Sequence, residues 1–302
     1  PFLNYQLLGS LHKEMISIEG NGFTRINLRQ GKLLDIPVFI PPLLEQQQIV
    51  SFLDTKTSLI DSLINKTQKK IELLKEKSTS LINEGVTKGL NPNINMKESG
   101  VDWIGLIPSH WKVCPLFSIC EHVKEKNTDN EETVLTLSYG KLKVRDLDKN
   151  FGLLPDNFNN YQRIRPSYIV LRLMDLQNDK RSLRVSHSYL NGIITPVYVS
   201  LKCNKKMISE FLYFFLHNSD IKKVLYSLGG GLRQTLRFQE LKRLNVVLPS
   251  LKEQEDIVKE IKSKIEIIEI SISKEQRRVK LLKEYKQSLI SEVVIGKRRV
   301  VT

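Results

Sequence analysis

"PPLLEQQQIV" (Pro41–Val50) and "PSLKEQEDIV" (Pro249–Val258) are one phrase written twice in the same chain. Each follows a β-rich run that ends at a proline, "LLDIPVFIP" (Leu33–Pro41) and "LKRLNVVLP" (Leu241–Pro249), and each opens into a long charged segment. Proline favours an extended residue before it and cannot continue a central strand, so in both places a strand should give way to a helix. At an offset of 208 positions, residues 22–87 align with 230–295 without a gap, and 19 of the 44 positions in 41–84 are identical. "ELLKEK" (Glu72–Lys77) meets "KLLKEY" (Lys280–Tyr285), and "SLINE" (Ser80–Glu84) meets "SLISE" (Ser288–Glu292). The chain therefore contains an internal duplication.

Apolar residues recur in the first copy at Ile49, Leu53, Ile60, Leu63, Ile64, Ile71, Leu74, Leu81 and Ile82, by threes, fours and sevens. The second copy places Ile257, Ile261, Ile268, Ile272, Val279, Leu282, Leu289 and Ile290 at the matching positions. This spacing predicts one apolar stripe on each of two helices. No proline interrupts 43–91 or follows 249, so each helix can run about 40 residues, near 60 Å. Neither buries its stripe alone. Packing the two against each other as an antiparallel coiled coil satisfies both, because a repeated stripe is self-complementary about a pseudo-twofold axis.

The 302 residues suffice for about two domains. No apolar run approaches the ~20 residues of a membrane span, and no secretory leader is visible, which predicts a cytoplasmic protein. Three cysteines, Cys114, Cys120 and Cys203, are an odd count that argues against a disulfide framework. The net charge of +14 is uneven: residues 101–248 hold 22 Lys and Arg against 14 Asp and Glu. Excess cations concentrated in one block point to a polyanionic partner.

That block differs from the repeats around it. "NPNINMKESG" (Asn91–Gly100) is a polar, turn-rich linker. Beyond it, short strand-like runs ("SYIVLRL", "SLRVS", "GIITPVYVSL") mix with the helical "MISEFLYFFLHNSDIKKVLYSL", which predicts an α+β domain. "FLNYQLL" (Phe2–Leu8) is similar to "FLYFFLH" (Phe211–His217), so residues 1–40 read as the tail of a domain whose full counterpart is 101–248. A whole repeat would place roughly 110 further residues ahead of Pro1, and the missing initiator Met agrees.

Several stretches together resemble the DNA specificity subunits of type I restriction-modification systems. "SGVDWIGLIPSHW" (Ser99–Trp111) is similar to that family's domain opening, and "RLMDLQNDKRSLRVSHSYLNGIITPVYVSLK" (Arg172–Lys202) to its core. "GGGLRQTLRFQELKRLNVVLPSLKEQEDIV" (Gly229–Val258) resembles its junction, of which Gly22–Val50 is the duplicate. The resemblance implies an α+β protein in which target-recognition domains each read one half of a split double-stranded DNA site. Two helices would hold them apart and dock methyltransferase subunits, with ATP-dependent restriction subunits as further partners. It implies no catalysis and no cofactor in this chain, S-adenosylmethionine, ATP and Mg belonging to the partner subunits. The expected layout is a remnant of the first recognition domain in 1–42, a spacer helix in 43–88, and a linker in 89–100. A second recognition domain (101–249), a second spacer helix (250–296) and a basic tail (297–302) follow.

DNA reading needs cations for phosphates and forked donors for base edges. "KLKVR" offers Lys141, Lys143 and Arg145 on one side of a strand, since alternate side chains share a face. "YQRIRP" adds Arg163 and Arg165, and "LQNDKRSLR" adds Gln177, Asn178, Lys180, Arg181 and Arg184 across a turn. "GGGLRQTLRF" adds Arg233, Gln234 and Arg237 beside three glycines. Because they recur in both copies, Glu45, Gln46, Glu253 and Gln254 are the residues expected to meet protein partners, against the simpler reading that they cap the helices.

Enzymatic readings are weaker. His110, Cys114, Cys120 and His122 do not have zinc-finger spacing, and "CPLFSIC" reads as core. Asp156 with "DIK" (Asp220–Lys222) only superficially matches a metal nuclease. No phosphate loop is present, and "NPNIN" lacks the aromatic of an amino-methyltransferase motif. The rival to DNA reading is a coiled-coil scaffold that binds no DNA.

Overall fold

Both copies of the junction start a long helix. A computed structural model describes residues 1–19, 30–147, 157–176, 183–228 and 235–300. The chain opens with α1 (Phe2–Leu8), α2 (Ser10–Glu19) and α3 (Gln30–Leu34); α4 then runs 46 residues, Leu43–Lys88. Gly89, at φ +76, ends it by adopting the left-handed conformation that side chains disfavour. Then come β1 (Met96–Glu98), β2 (Leu106–Pro108), β3 (Lys112–Pro115), β4 (Cys120–Val123), β5 (Leu135–Ser138) and β6 (Lys141–Val144). These are followed by β7 (Gln162–Ile164), β8 (Ile169–Leu171), β9 (Val185–His187), β10 (Gly192–Ile194) and β11 (Val199–Cys203). Helices α5 (Ser209–Ile221), α6 (Val224–Leu228) and α7 (Phe238–Leu241) precede β12 (Asn245–Leu248), and α8 closes the chain with 44 residues, Leu251–Val294.

The antiparallel helix pair expected from the stripes is present. Asp61 and Lys70 along α4 meet Lys286 and Glu275 along α8, at 2.7 and 2.5 Å, so rising numbers on one helix face falling numbers on the other. Further along, Gly85 faces Ile261 in the same sense. Most stripe residues are buried, including Ile49, Leu53, Ile60, Ile64, Ile71 and Ile82 on α4 and Ile257, Ile261, Ile268, Leu289 and Ile290 on α8. Leu63 departs from the expectation and stays 42% exposed. A single partner helix covers only a narrow seam, and Leu63 lies at its margin.

The chain divides into two compact units, Pro1–Glu76 with Ile267–Thr302, and Lys77–Glu266. In the first, Phe2 joins Ile49, Leu53, Ile60 and Ile64 in a core closed by Leu289, Ile290, Val293 and Val294. The amino-terminal helices are tied to the end of α8, where Ser10 N–H donates to Ser291 Oγ at 2.8 Å and Gln287 Nε2 to the Leu8 carbonyl at 2.7 Å. The buried Gln6 amide donates to the Phe39 carbonyl at 2.6 Å and accepts from Phe39 N–H at 3.1 Å.

In the second unit the largest sheet has the order β4-β11-β8-β9, all antiparallel. Trp111, Phe211 and Phe215 fill the core beneath it, with Ile82 and Val86 of α4 and Ile257, Val258 and Ile261 of α8. β12 pairs with β3, setting Val246 opposite Cys114 and Val247 opposite Val113. The duplicated junction thus sits in two environments. Val246 is fully buried, whereas its repeat equivalent Val38 is 42% exposed, next to exposed Phe39, Ile40, Leu43 and Leu44.

Candidate nucleic-acid interface

Antiparallel β5 and β6 form a tight hairpin, with Leu135 opposite Val144, Thr136 opposite Lys143, Leu137 opposite Leu142 and Ser138 opposite Lys141. Alternation sorts these side chains by face. Leu135 and Leu137 are buried, and Leu142 packs with Leu135 against Ile164, Val170 and Ile194. Lys141 and Lys143 share the opposite face with Thr136 and Ser138, and both lysines are exposed. Arg145 lies one residue past β6 and is half-buried, its N–H donating to the Val134 carbonyl at 2.7 Å.

Only two residues, Tyr139 and Gly140, join the strands, and both have positive φ, +48° and +73°. That is the type I′ pattern whose twist suits a hairpin. Gly140 is obligatory, because a Cβ there would come within 2.9 Å of Leu183 Cβ. The hairpin is also pinned at Leu142, whose N–H donates to Ser186 Oγ at 3.1 Å. Composition and charge do not single out Tyr139. The sequence carries only a weak signal, Gly140 between two strand-like runs, because Tyr-Gly is not one of the pairs that mark a type I′ hairpin.

The other expected DNA residues are placed differently. Arg163 on β7 is 19% exposed at its side chain and lies 3.3 Å from Asp129 and 3.9 Å from Glu131. Arg165 forms a forked pair with Glu125, at 2.5 and 3.3 Å, and that bond holds the Glu125 carboxyl below its ordinary range. Both arginines are matched by carboxylates that the sequence separates from them by 32 to 40 positions, so their charge is already partly answered.

Arg184 requires a correction. Its side chain is wholly buried, and its guanidinium donates to the carbonyls of Arg172 (3.2 Å), Met174 (2.7 Å) and Asp175 (3.0 Å) and to Tyr226 Oη (3.1 Å). Its own N–H donates to the buried Asp220 carboxylate at 2.7 Å. A guanidinium used up on backbone oxygens is a structural brace, and no base edge can reach it. Arg237 is exposed at the start of α7. Gln177, Asn178, Lys180, Arg181, Arg233 and Gln234 lie outside the described residues.

Among the junction residues, Gln254 requires a second correction. Glu253 accepts from His110 Nε2 (2.6 Å), Trp111 Nε1 (3.1 Å) and Ser250 Oγ (2.7 Å). Burial alone would raise its pKa, but the bonds from His110, Ser250 and Trp111 outweigh that and pull it down to about 2. Gln254 is fully buried, accepting from Ile208 N–H at 2.7 Å and donating to the Lys206 and Pro249 carbonyls at 3.1 and 3.0 Å. Both therefore latch α8 to its own domain: Gln254 is closed off from any other protein, whereas the Glu253 side chain keeps 34% exposure. Their copies are more open: Glu45 is exposed, and Gln46 donates to the Pro41 carbonyl at 2.8 Å, as Gln254 does to Pro249.

Two of the residues weighed for metal chemistry have other work, and Asp156 lies outside the described residues. His110 faces Glu253, and Cys120 Sγ donates to the Leu116 carbonyl within the core. Burial pushes the Cys120 and Cys203 thiols up to about 12. Among the described residues no group of three or more His, Cys, Asp or Glu could hold a metal ion, and no helix is long and apolar enough to cross a membrane.

A repeated junction, two long antiparallel helices and a β-rich domain carrying a cationic hairpin define the class of architecture. The chain belongs to the family described as type I restriction modification DNA specificity domain, whose model matches residues 2–73 and 196–281. It is 26% identical over 310 residues to the type I restriction enzyme MjaVIII specificity subunit of Methanocaldococcus jannaschii, covering 93% of this chain and 66% of that protein. It is 27% identical over 291 residues to a protein of the same organism provisionally named type I restriction enzyme MjaX specificity subunit, covering 92% and 62%. The chain thus spans less than two thirds of the length of these curated relatives. In fold it is similar to a chain solved in work on complex assembly and conformational transition of the type I R-M system. There the TM-score is 0.72 at 14% identity, covering 97% of this chain and 70% of that one. It is also similar to the HsdS subunit of Thermoanaerobacter tengcongensis, at a TM-score of 0.50 and 14% identity, covering 98% and 70%.

Proposed function

We propose that this protein is a non-catalytic DNA specificity subunit of a cytoplasmic type I restriction-modification complex. Its β-rich domain reads one half of a bipartite double-stranded site, and its helix pair spaces that domain and docks methyltransferase subunits. Restriction subunits that consume ATP join the same assembly. Methyl transfer from S-adenosylmethionine and Mg-dependent cleavage fall to those partners.

The observation that carries this reading is the β5–β6 hairpin, where Lys141 and Lys143 point outward from a rigid two-stranded ribbon in a chain of this family. A ribbon of this width fits the major groove of B-DNA, and its lysines would neutralise phosphates on either side. The largely covered Arg163 and the exposed Arg165 adjoin carboxylates that would compete with phosphate, so they rank below the hairpin lysines.

The test is to co-purify the full-length native protein with the methyltransferase of its system and map methylated positions on genomic DNA. A two-part motif with a fixed gap is expected. Failure to bind either DNA or a methyltransferase would favour a coiled-coil scaffold instead.

A further inference from the structure

The hairpin holds one residue for which neither packing nor charge gives a reason. Position 139 opens the type I′ turn at φ +48°, a conformation that favours Asn, Asp or Gly and penalises a bulky side chain. An aromatic there is normally tolerated only when tertiary contacts reward it. Among the described residues Tyr139 makes no hydrogen bond or ring contact, and it is 78% exposed. The tip beneath it is nonetheless seated firmly, with Gly140 against Leu183 and Leu142 bound to Ser186. The ring therefore stands exposed at the end of an anchored ribbon, with Gly140 alone between it and Lys141. Strain retained without a structural return is the mark of a position kept for function.

We propose that Tyr139 is a specificity-determining contact. When the β5–β6 ribbon enters the major groove, the phenol at its tip meets base edges, while Lys141 and Lys143 behind it hold flanking phosphates. The lysines set how tightly DNA is held, and Tyr139 sets which sequence is preferred. This inference rests on the DNA-reading function proposed above.

The experiment uses the full-length protein in complex with its methyltransferase and a randomised duplex-DNA library. The sequence that the wild-type complex enriches is then competed against bulk library DNA. Tyr139→Asn places a turn-favouring residue at the tip, so this variant should unfold at or above the wild-type temperature. It should nonetheless lose about tenfold of the preference for the enriched sequence, with affinity for bulk DNA unchanged. Lys141→Ala with Lys143→Ala should instead weaken selected and bulk DNA alike. If Tyr139→Asn keeps the full preference while the lysine variant binds weakly, the tyrosine assignment is wrong and the DNA reading stands. If both variants bind as the wild type does, the reading of DNA through this hairpin falls with it.

Discussion

Arg184 shows what charge alone conceals. In the linear sequence it sits among Lys180, Arg181 and polar neighbours and looks like one more DNA cation, because sequence reports charge and not burial. Folding instead encloses it and spends its donors on three carbonyls and Tyr226. Arg184→Met keeps the bulk but strands those acceptors, so a loss of about 3 kcal/mol or more is expected in chemical denaturation. Arg184→Lys should rescue little, since a point ammonium cannot span a forked set of oxygens; near-wild-type stability of either variant would refute the brace. Glu253 adds a pH signature. Its carboxyl is depressed from 4.5 to about 2, so it stabilises the fold above its unfolded value and that contribution fades as pH falls from about 4.5 towards 2. Wild type should accordingly out-resist Glu253→Gln to urea at neutral pH, and the two midpoints should converge in acid. A constant difference across that range would mean the depressed ionisation is not what stabilises the latch.

At the scale of elements, the repeat was readable because helix periodicity and proline placement are local properties of the chain. What decided the fate of each copy was not local. β12 finds β3, contributed by residues some 130 positions earlier, and the same phrase at Pro37–Ile40 is met by side chains instead, the Gln6 amide on the Phe39 backbone and His12 Nε2 3.0 Å from the Pro37 carbonyl. Equivalent substitutions should therefore diverge: Val246→Ser should cost about 2 kcal/mol or more by burying a hydroxyl in place of methyls, while Val38→Ser should fall within about 0.5 kcal/mol. Thermal unfolding of both variants decides it, and equal losses would show that the two junctions share one environment. The helix seam offers a second case. Gly85 occupies a helix interior where alanine would ordinarily gain about 1 kcal/mol, yet a Cβ there would sit 2.8 Å from Ile261 Cδ1. Gly85→Ala should thus bring no gain by itself, and adding Ile261→Val should relieve the clash only in part, because Cδ1 goes while the γ carbon 3.1 Å from the new Cβ stays. A stabilising single variant would show that α8 has slack at this level.

Across the whole molecule, net charge pointed towards a polyanion but did not say which cations are available to one. The structure separates them. Many helix lysines are answered along their own helix, as in Lys252 with Asp256, Lys264 with Glu260 and Lys280 with Glu284. Others cross between helices, as Lys70 does to Glu275 and Lys286 to Asp61. The surplus of residues 101–248 contains Lys141 and Lys143, which point outward from one ribbon and have no carboxylate among the residues opposite them on β5. If DNA is held there, the salt dependence of binding should be carried by that ribbon and not by total charge. Lys141→Ala with Lys143→Ala removes two positive charges and should reduce the slope of log affinity against log salt by about 1.8, at about 0.9 per phosphate contact. Lys264→Glu also shifts the net charge by two, yet on an exposed helix face it should leave that slope unchanged. Titrating bulk duplex DNA over a series of salt concentrations distinguishes the two. Equal slope losses from both variants would mean that the molecule attracts DNA only through its overall charge.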